Sequence, residues 1–354
     1  MGGMGGTGKR RLLVVACTLG LLAGPAAGSA YAAPAGPADP GGGRQSLEEV
    51  AKRIDHLHEA AESATEAYNA AQERAGKQQK AVDKLTEKID ALRETRGKYT
   101  KTAGALARAQ YRAGGMPDEA HLILRDSPEA FMRDATIMRK GQQAAKGVIT
   151  TLAKTESRLD DYAAEASKKL RELKENKKRK AAAKKKIEKD LKTAEDLESQ
   201  LAEKELDRLL KLEDEAARAR QSKWLESGVL DEISGRASKA GKKAIAFATN
   251  QIGKDYEWGA EGPRTFDCSG LTLRAWQAAG KEIPRTSQEQ WKHLKHVPIR
   301  KMRPGDLIIY KSDASHVAMY VGDGEMVHAP RTGRQITIAG AGSLLIKGVV
   351  RPDG

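Results

Sequence analysis

From Leu47 to Leu92, apolar residues recur at alternating spacings of three and four. Leu47, Ile54, Ala61, Tyr68, Ala75, Val82 and Ile89 form one series; Val50, Leu57, Ala64, Ala71, Leu85 and Leu92, interrupted by Gln78, form the other. A heptad sustained over that length predicts a coiled-coil helix. Ser46-Leu47-Glu48-Glu49 has the form of a capping box, in which hydroxyl and carboxylate each satisfy a free N–H at the helix start. The seam is rich in alanine and buries little surface, so the helix needs a partner. The pattern breaks at Gly114-Gly115-Met116-Pro117, a short apolar segment follows over His121–Arg125, and Ser127-Pro128-Glu129 restarts a helix with proline in its first turn. From there to about Trp224, Leu152, Leu159, Tyr162, Ala166, Leu170, Leu173, Ile187, Leu191, Ala194 and Leu201 keep helical spacing. Residues 46–224 thus read as a long antiparallel helical hairpin with a small cap at its tip.

The pattern changes twice more. Residues 225–240 lose the heptads and gain Gly and Ser, which marks a linker. Beyond Gly241 come three of the four Trp and several short alternating segments. Helices come first here, with a start at Cys268 and another at Ser287-Gln288-Glu289-Gln290. Strands are expected at Leu307–Tyr310, His316–Val321, Glu325–Ala329, Gln335–Ile338 and Ile346–Arg351, so residues 241–354 form an α+β domain. At the other end, Lys9-Arg10-Arg11, an apolar run over 12–23 and Ala30-Tyr31-Ala32 make residues 1–32 a secretory signal peptide, followed by a Pro/Gly linker over 33–45. No other run approaches the length of a membrane span, so a secreted, wall-associated product is expected.

Composition sharpens this picture. The 354 residues are 31% charged and only 4% aromatic, and carry a formal charge of +14, of which three charges lie in the leader, leaving +11. No nucleic-acid-binding signature accompanies the charge. The second arm concentrates it, with Lys174, Lys177, Lys178, Arg179, Lys180, Lys184, Lys185, Lys186 and Lys189 set against Glu175 and Glu188. A solvated helical face is the ordinary reading. The sharper one is contact with an anionic wall polymer or membrane surface, worth roughly 1 kcal/mol per cation.

Candidate chemistry centres on Cys268, because the other cysteine, Cys17, falls in the leader. A lone thiol in an exported chain is a buried hydrophobe, half of an intermolecular bridge, or a reactive group. Its place at the first turn of a helix ending at Gly280 favours the third and predicts a thiolate partly ionised at neutral pH. His316 and His328 are the candidates for base and orienter. His56, His58 and His121 lie in the helical hairpin, and His293 and His296 are placed on the polar side of a short helix, where a surface role outweighs a metal role. Neither a metal nor another cofactor is expected. His316 and His328 flank Gly322-Asp323-Gly324. A two-residue turn would put them on opposite faces, whereas a three-residue loop would set 328 opposite 318 and make the histidines diagonal neighbours about 7–8 Å apart.

Tyr256-Glu257-Trp258-Gly259, Phe266-Asp267-Cys268-Ser269-Gly270-Leu271, Pro284-Arg285-Thr286-Ser287 with Gln290, Pro304-Gly305-Asp306-Leu307, Ser315-His316-Val317, Tyr320-Val321-Gly322 and Val327-His328-Ala329-Pro330 together resemble the NlpC/P60 family of papain-like cell-wall peptidases. The resemblance covers about residues 241–354. It implies a papain-like fold with Cys268 as nucleophile, His316 as base and His328 as orienter. It also implies a part for Tyr256 at the oxyanion site and substrate contacts from Asp267, Ser269, Arg285 and Ser287. Ala260 stands where the family usually has a second glycine, which would narrow the backbone approach there. The implied substrate is the stem peptide of peptidoglycan, cut between D-glutamate and a diamino acid. A looser similarity, to wall hydrolases held inactive by a coiled coil until a membrane-associated activator engages it, implies regulation by residues 46–224. Two other readings keep the same features: an amidase or transferase with the same Cys-His site, and a coiled-coil scaffold whose last domain only binds wall.

Overall fold

The computed structural model describes residues 46–112 and 127–354; the expected leader, the expected first linker and the expected cap at the hairpin tip lie outside them. Helix α1 runs over Leu47–Arg112, about 100 Å at 1.5 Å per residue, and α2 over Pro128–Ser199. Both starts follow their local chemistry. Ser46 and Glu49 exchange the two capping-box bonds, and Ser127 Oγ accepts from the Ala130 N–H. The arms are antiparallel: Tyr68 lies under Lys180, Gln78 bonds Glu172 and Asn176, and Tyr162 lies under Lys88. Of the heptad series, Ile54, Ala61, Ala64, Ala71, Val82 and Leu85 are buried.

The chain breaks after Ser199 and a third helix, α3, spans Glu203–Glu226. The segment expected as a linker over 225–240 is ordered. It holds the end of α3, one turn at Val229–Glu232, and the first residues of helix α4 (Lys239–Thr249), capped by Ser238. Trp224 and Ile233 pack against buried residues of the sheet. The physical reason is that the sheet has two apolar faces, and this segment covers the second.

That sheet has six antiparallel strands in the order β1-β6-β2-β3-β4-β5, with β1 Lys295–Val297, β2 Leu307–Tyr310, β3 His316–Gly322, β4 Glu325–His328, β5 Thr337–Gly340 and β6 Ile346–Arg351. Leu307, Ile309, Val317 and Met319 point into a core shared with α4 and with helix α5, Cys268–Ala278. Ile308, Tyr310, Ala318 and Tyr320 point to the other face, toward Trp224 and Ile233. Burial on both sides explains the unbroken apolar run of β2. The α5 helix ends as the glycine predicts, with Gly280 at φ 82° and Lys281 N–H donating to Trp276 O. Two local expectations shift. Helix α6, Ser287–His293, is capped by Thr286 rather than Ser287, and His296 lies in β1, where its Nε2 contacts Trp291 O.

Candidate active site

Cys268 opens α5, and the preceding Asp267 caps it: Oδ1 accepts from the Gly270 N–H at 2.6 Å. The same carboxylate accepts from Arg285 through both oxygens, at 3.1 and 2.6 Å, and from the Gly259 N–H at 3.0 Å. Arg285 is also bound by Glu261, and it donates to Ser269 Oγ at 2.8 Å. Asp267 is fully buried, so these partners are what keep a charge there tolerable. Gly270 is required by close approach: a Cβ there would lie 2.2 Å from Ala260 O. Ala260 itself is unstrained, since the positive φ values nearby belong to Gly259 and Gly262.

β3 presents His316 beside the thiol. The Cys268 sulfur lies 4.0 Å from Ser315 O and accepts from the Val317 N–H, the two backbone groups that flank His316. His316 Nε2 is 3.0 Å from His328 Nδ1, with the rings edge to face. His316 Nδ1 has no hydrogen-bond partner among the described residues. The register that brings the histidines together arises differently from the sequence expectation. Met319 pairs with Val327 and Tyr320 with Met326, the pairing a three-residue loop would give. The turn nevertheless has two left-handed central residues, Asp323 at φ 53° and Gly324 at φ 77°, and an irregularity between Tyr320 and Gly322 supplies the extra residue. A bulge therefore replaces the longer loop.

Tyr256, Ser269 and Ser287 complete the cluster. All three are buried, and burial holds the Tyr256 hydroxyl well above its ordinary pKa. Ser287 Oγ donates to Ala314 O at 2.6 Å. The structure thus brings together Cys268, His316, His328, Tyr256, Asp267, Ser269, Arg285 and Ser287.

It also brings in residues that sequence reading passed over. One face of α1 carries His58, Glu62, Thr65, Glu66 and Asn69 at spacings of four, three, one and three, and all five are buried although none is apolar. Glu66 accepts from Ser269 Oγ at 2.6 Å and from the Ser287 N–H at 2.8 Å, and lies 3.7 Å from the Cys268 sulfur. Glu62 pairs with Lys311 at 2.6 Å and lies 3.7 Å from His316 Nδ1. Asn69 donates to Asp267, Tyr68 sets its ring edge-on to Trp258, and Arg331 bridges His58 to Glu213 of α3. The signal in the sequence was a polar stripe at helical spacing inside a heptad helix, which reads equally well as a solvated face.

Occupation by α1 reverses one electrostatic expectation. The Cys268 thiol is pushed well above its ordinary pKa, by burial first and then by Glu66, Asp267 and Glu62, so in this closed arrangement it is neutral rather than partly ionised. Burial, with His328 and Lys311 adding to it, drives His316 well below its ordinary value, and burial alone takes His328 to about 4. Burial and the Asp267 charge raise Glu66 to about 7. A helix N-terminus favours the thiolate, but here burial, with three carboxylates in the same cleft, outweighs it.

Residues 253–345 match the family described as NlpC/P60. Among curated proteins, the chain is 36% identical over 118 residues to a probable endopeptidase of Corynebacterium glutamicum, covering 33% of this chain and 56% of that one. It is 40% identical over 121 residues to the murein DD-endopeptidase MepH of Escherichia coli, covering 32% and 45%. It is 43% identical over 101 residues to the probable endopeptidase p60 of Listeria innocua, covering 28% and 22%. Among solved structures, a hypothetical invasion protein of Mycobacterium tuberculosis aligns with TM-score 0.30 and 32% identity over 32% of this chain and 62% of that one. An NlpC/P60 family protein of Bacillus cereus aligns with TM-score 0.30 and 31% identity over 32% and 40%. The chain spans about half the length, or less, of these curated relatives.

Proposed function

Starting from residues 253–345 as an NlpC/P60 family domain, we infer that the chain is a secreted, thiol-dependent endopeptidase of peptidoglycan stem peptides whose cleft is closed by its own first helix. The observation that carries this is the His316 Nε2 to His328 Nδ1 contact of 3.0 Å, with His316 Nδ1 left without a hydrogen-bond partner and the backbone on either side of His316 against the Cys268 sulfur. With His328 Nδ1 as acceptor, His316 holds its proton on Nε2 and keeps a lone pair on Nδ1. Nδ1 takes the thiol proton as sulfur attacks the scissile carbonyl, then delivers it to the departing amine; water next attacks the thioester, returns a proton to sulfur and releases the acid. Tyr256 and the first-turn N–H groups of α5 face the developing oxyanion, while Ser269, Ser287 and Arg285 hold polar groups of the acyl part.

The closed cleft supports latency. Glu66 and Glu62 occupy the positions that substrate would need, so turnover requires α1 to leave, and the reading assigns that step to a membrane-associated activator on the helical hairpin. The exposed cations of α2 suit an anionic wall polymer or membrane surface. Family resemblance points to the bond between D-glutamate and the diamino acid. The relative named as a murein DD-endopeptidase points instead to a bond between two D-centres. Mass spectrometry of muropeptides digested by the full chain and by a Thr65→Arg chain tests both parts. Thr65 is 2% exposed and lines the contact with Tyr256 and Trp258, so a charge there should displace α1. Cleavage that requires Cys268 and rises on displacement is expected; cleavage undiminished in Cys268→Ala would overturn the thiol assignment.

A further inference from the structure

Lys311 is absent from the machinery described so far, yet its placement is costly. It follows β2 in a left-handed conformation, φ 64°, unusual for a side chain with a Cβ and of the kind that persists where function requires it. Its backbone is pinned by bonds to Leu345 O and from the Ala314 N–H. Its ammonium sits in the cleft with 18% of the side chain exposed, and its described ion pairs within 4 Å are to α1, Glu62 at 2.6 Å and Glu59 at 3.8 Å. Within the catalytic domain Asp313 acts on it at longer range, with no ion pair among the described contacts. Once α1 leaves, a cation without an ion-pair partner within 4 Å remains next to the base. A cavity lined by Lys311, His316, His328 and Arg331 already opens on that side of the cleft with α1 in place.

The geometry says which part of a substrate belongs there. Glu62 Oε2 is 3.7 Å from His316 Nδ1 and 2.6 Å from Lys311 Nζ. The amine that receives a proton from Nδ1 must lie about 3 Å from it. When an amine nitrogen and a carboxylate share a carbon, bond lengths alone put nitrogen and oxygen roughly 3 Å apart. The Glu62 Oε2 to His316 Nδ1 distance of 3.7 Å and the two of about 3 Å close a triangle in which Glu62 Oε2 takes the place of a carboxylate oxygen on the carbon that bears the leaving amine.

We propose that Lys311 is a specificity residue on the leaving-group side, and that it selects peptide bonds whose leaving amine sits on a carbon carrying a free carboxylate. The inference rests on the Cys268–His316 reading given above. Two parts of peptidoglycan supply this chemistry. One is a stem that ends at its diamino acid, where the α-carboxylate is free. The other is a cross-link through the far end of a diamino dicarboxylic acid, where amine and carboxylate share the distal carbon. A stem extended past its diamino acid offers an amide at that position and is disfavoured.

The test uses the full chain carrying Thr65→Arg, with Lys311 or Lys311→Met. Four substrates are compared by kcat/KM: a tripeptide stem ending in the free diamino acid, its C-terminal amide, a cross-linked dimer with the distal carboxylate free, and that dimer with the carboxylate amidated. The expected result is a preference for the free acid of roughly ten- to a hundredfold in one pair or both, which identifies the source, and its loss in Lys311→Met with turnover of the amide retained. Equal rates on acid and amide, or an unchanged preference in Lys311→Met, would overturn the proposal. Calorimetric titration of Cys268→Ala, Thr65→Arg full chain with the free diamino acid and with its amide decides the matter even if no bond is cut. Binding that needs both the carboxylate and Lys311 supports the subsite while the peptidase reading falls; binding indifferent to either removes it.

Discussion

The Glu66 carboxylate stands 3.7 Å from the sulfur of Cys268, a residue 202 positions later in the chain. It is held there by a serine hydroxyl and a backbone N–H of the same cleft. A carboxylate so placed shields the thiol twice, by filling the space in front of it and by opposing its ionisation.

Alkylation of Cys268 should report that block. In the intact chain the thiol is buried and neutral, so its reaction with iodoacetamide is limited by opening of α1. Thr65→Arg places a charge in a contact where burial costs a few kcal/mol, and should raise the rate by about tenfold or more, with an inflection at lower pH than in the intact chain. A rate identical in both chains would mean that α1 does not shield the thiol.

On the proposed reading, His328 fixes the ring of His316 through their 3.0 Å contact. His316→Ala should abolish turnover in the opened chain, because the proposed base is lost. His328→Ala should lower kcat by about a hundredfold, with KM little changed, and His328→Gln, which keeps an acceptor, should recover part of the loss. An equal loss in both His328 variants would count against the tautomer role.

Docking of α1 should depend on pH in two opposed ways. Glu66, which faces Asp267, Arg285, Ser269 and Ser287, has a pKa of about 7 when docked, against an ordinary 4.5. The docked form therefore keeps a proton that the open form releases, and docking weakens as pH rises from about 4.5 through about 7, by at most tenfold per unit, then levels off. His58 is lowered from 6.5 to about 4, by burial and then by Arg331, Arg334 and Lys311, so docking also weakens as pH falls through that window. Because the two windows overlap, their slopes largely cancel in the intact chain. Hydrogen exchange at the Ser287 amide, corrected for intrinsic rate, should therefore show docking that weakens as pH falls in Glu66→Gln and as pH rises in His58→Gln; a profile untouched by either substitution would remove these groups from the equilibrium.

Asp267 holds the site together. Replacing it by Ala strips the buried Arg285 of a bidentate partner, uncaps α5 and frees the Gly259 N–H. Urea unfolding of the full chain should show a loss of about 3–5 kcal/mol, whereas Asp267→Asn, which keeps the cap acceptor, should lose less. Matching losses would mean that charge pairing contributes nothing at this position.

The sequence by itself determined what depends on local spacing. The capping box at Ser46–Glu49 and the proline-led start at Pro128 place the two long helices, because caps and φ restrictions act within one turn. The start of α5 at Cys268 and its end at Gly280 follow for the same reason, and alternation located the strands from β2 to β6 to within a few residues. The side chains that build the candidate site were legible because they fall in short motifs next to those starts. What lay beyond local spacing was decided by tertiary structure. A bulge near Val321 set the register that joins His316 to His328, and only the pairing of β3 with β4 could choose it over a longer loop. Residues 225–240 read as a linker because they lose the heptads and gain Gly and Ser, yet the second face of the sheet takes up Ile233 and the preceding Trp224. Above all, Glu62, Glu66 and Asn69 look like any polar stripe on a long helix. Their burial follows from the return of α1 onto a cleft two hundred residues away, and the same contact sets the charge state of the thiol, which no reading of its neighbours in sequence could supply.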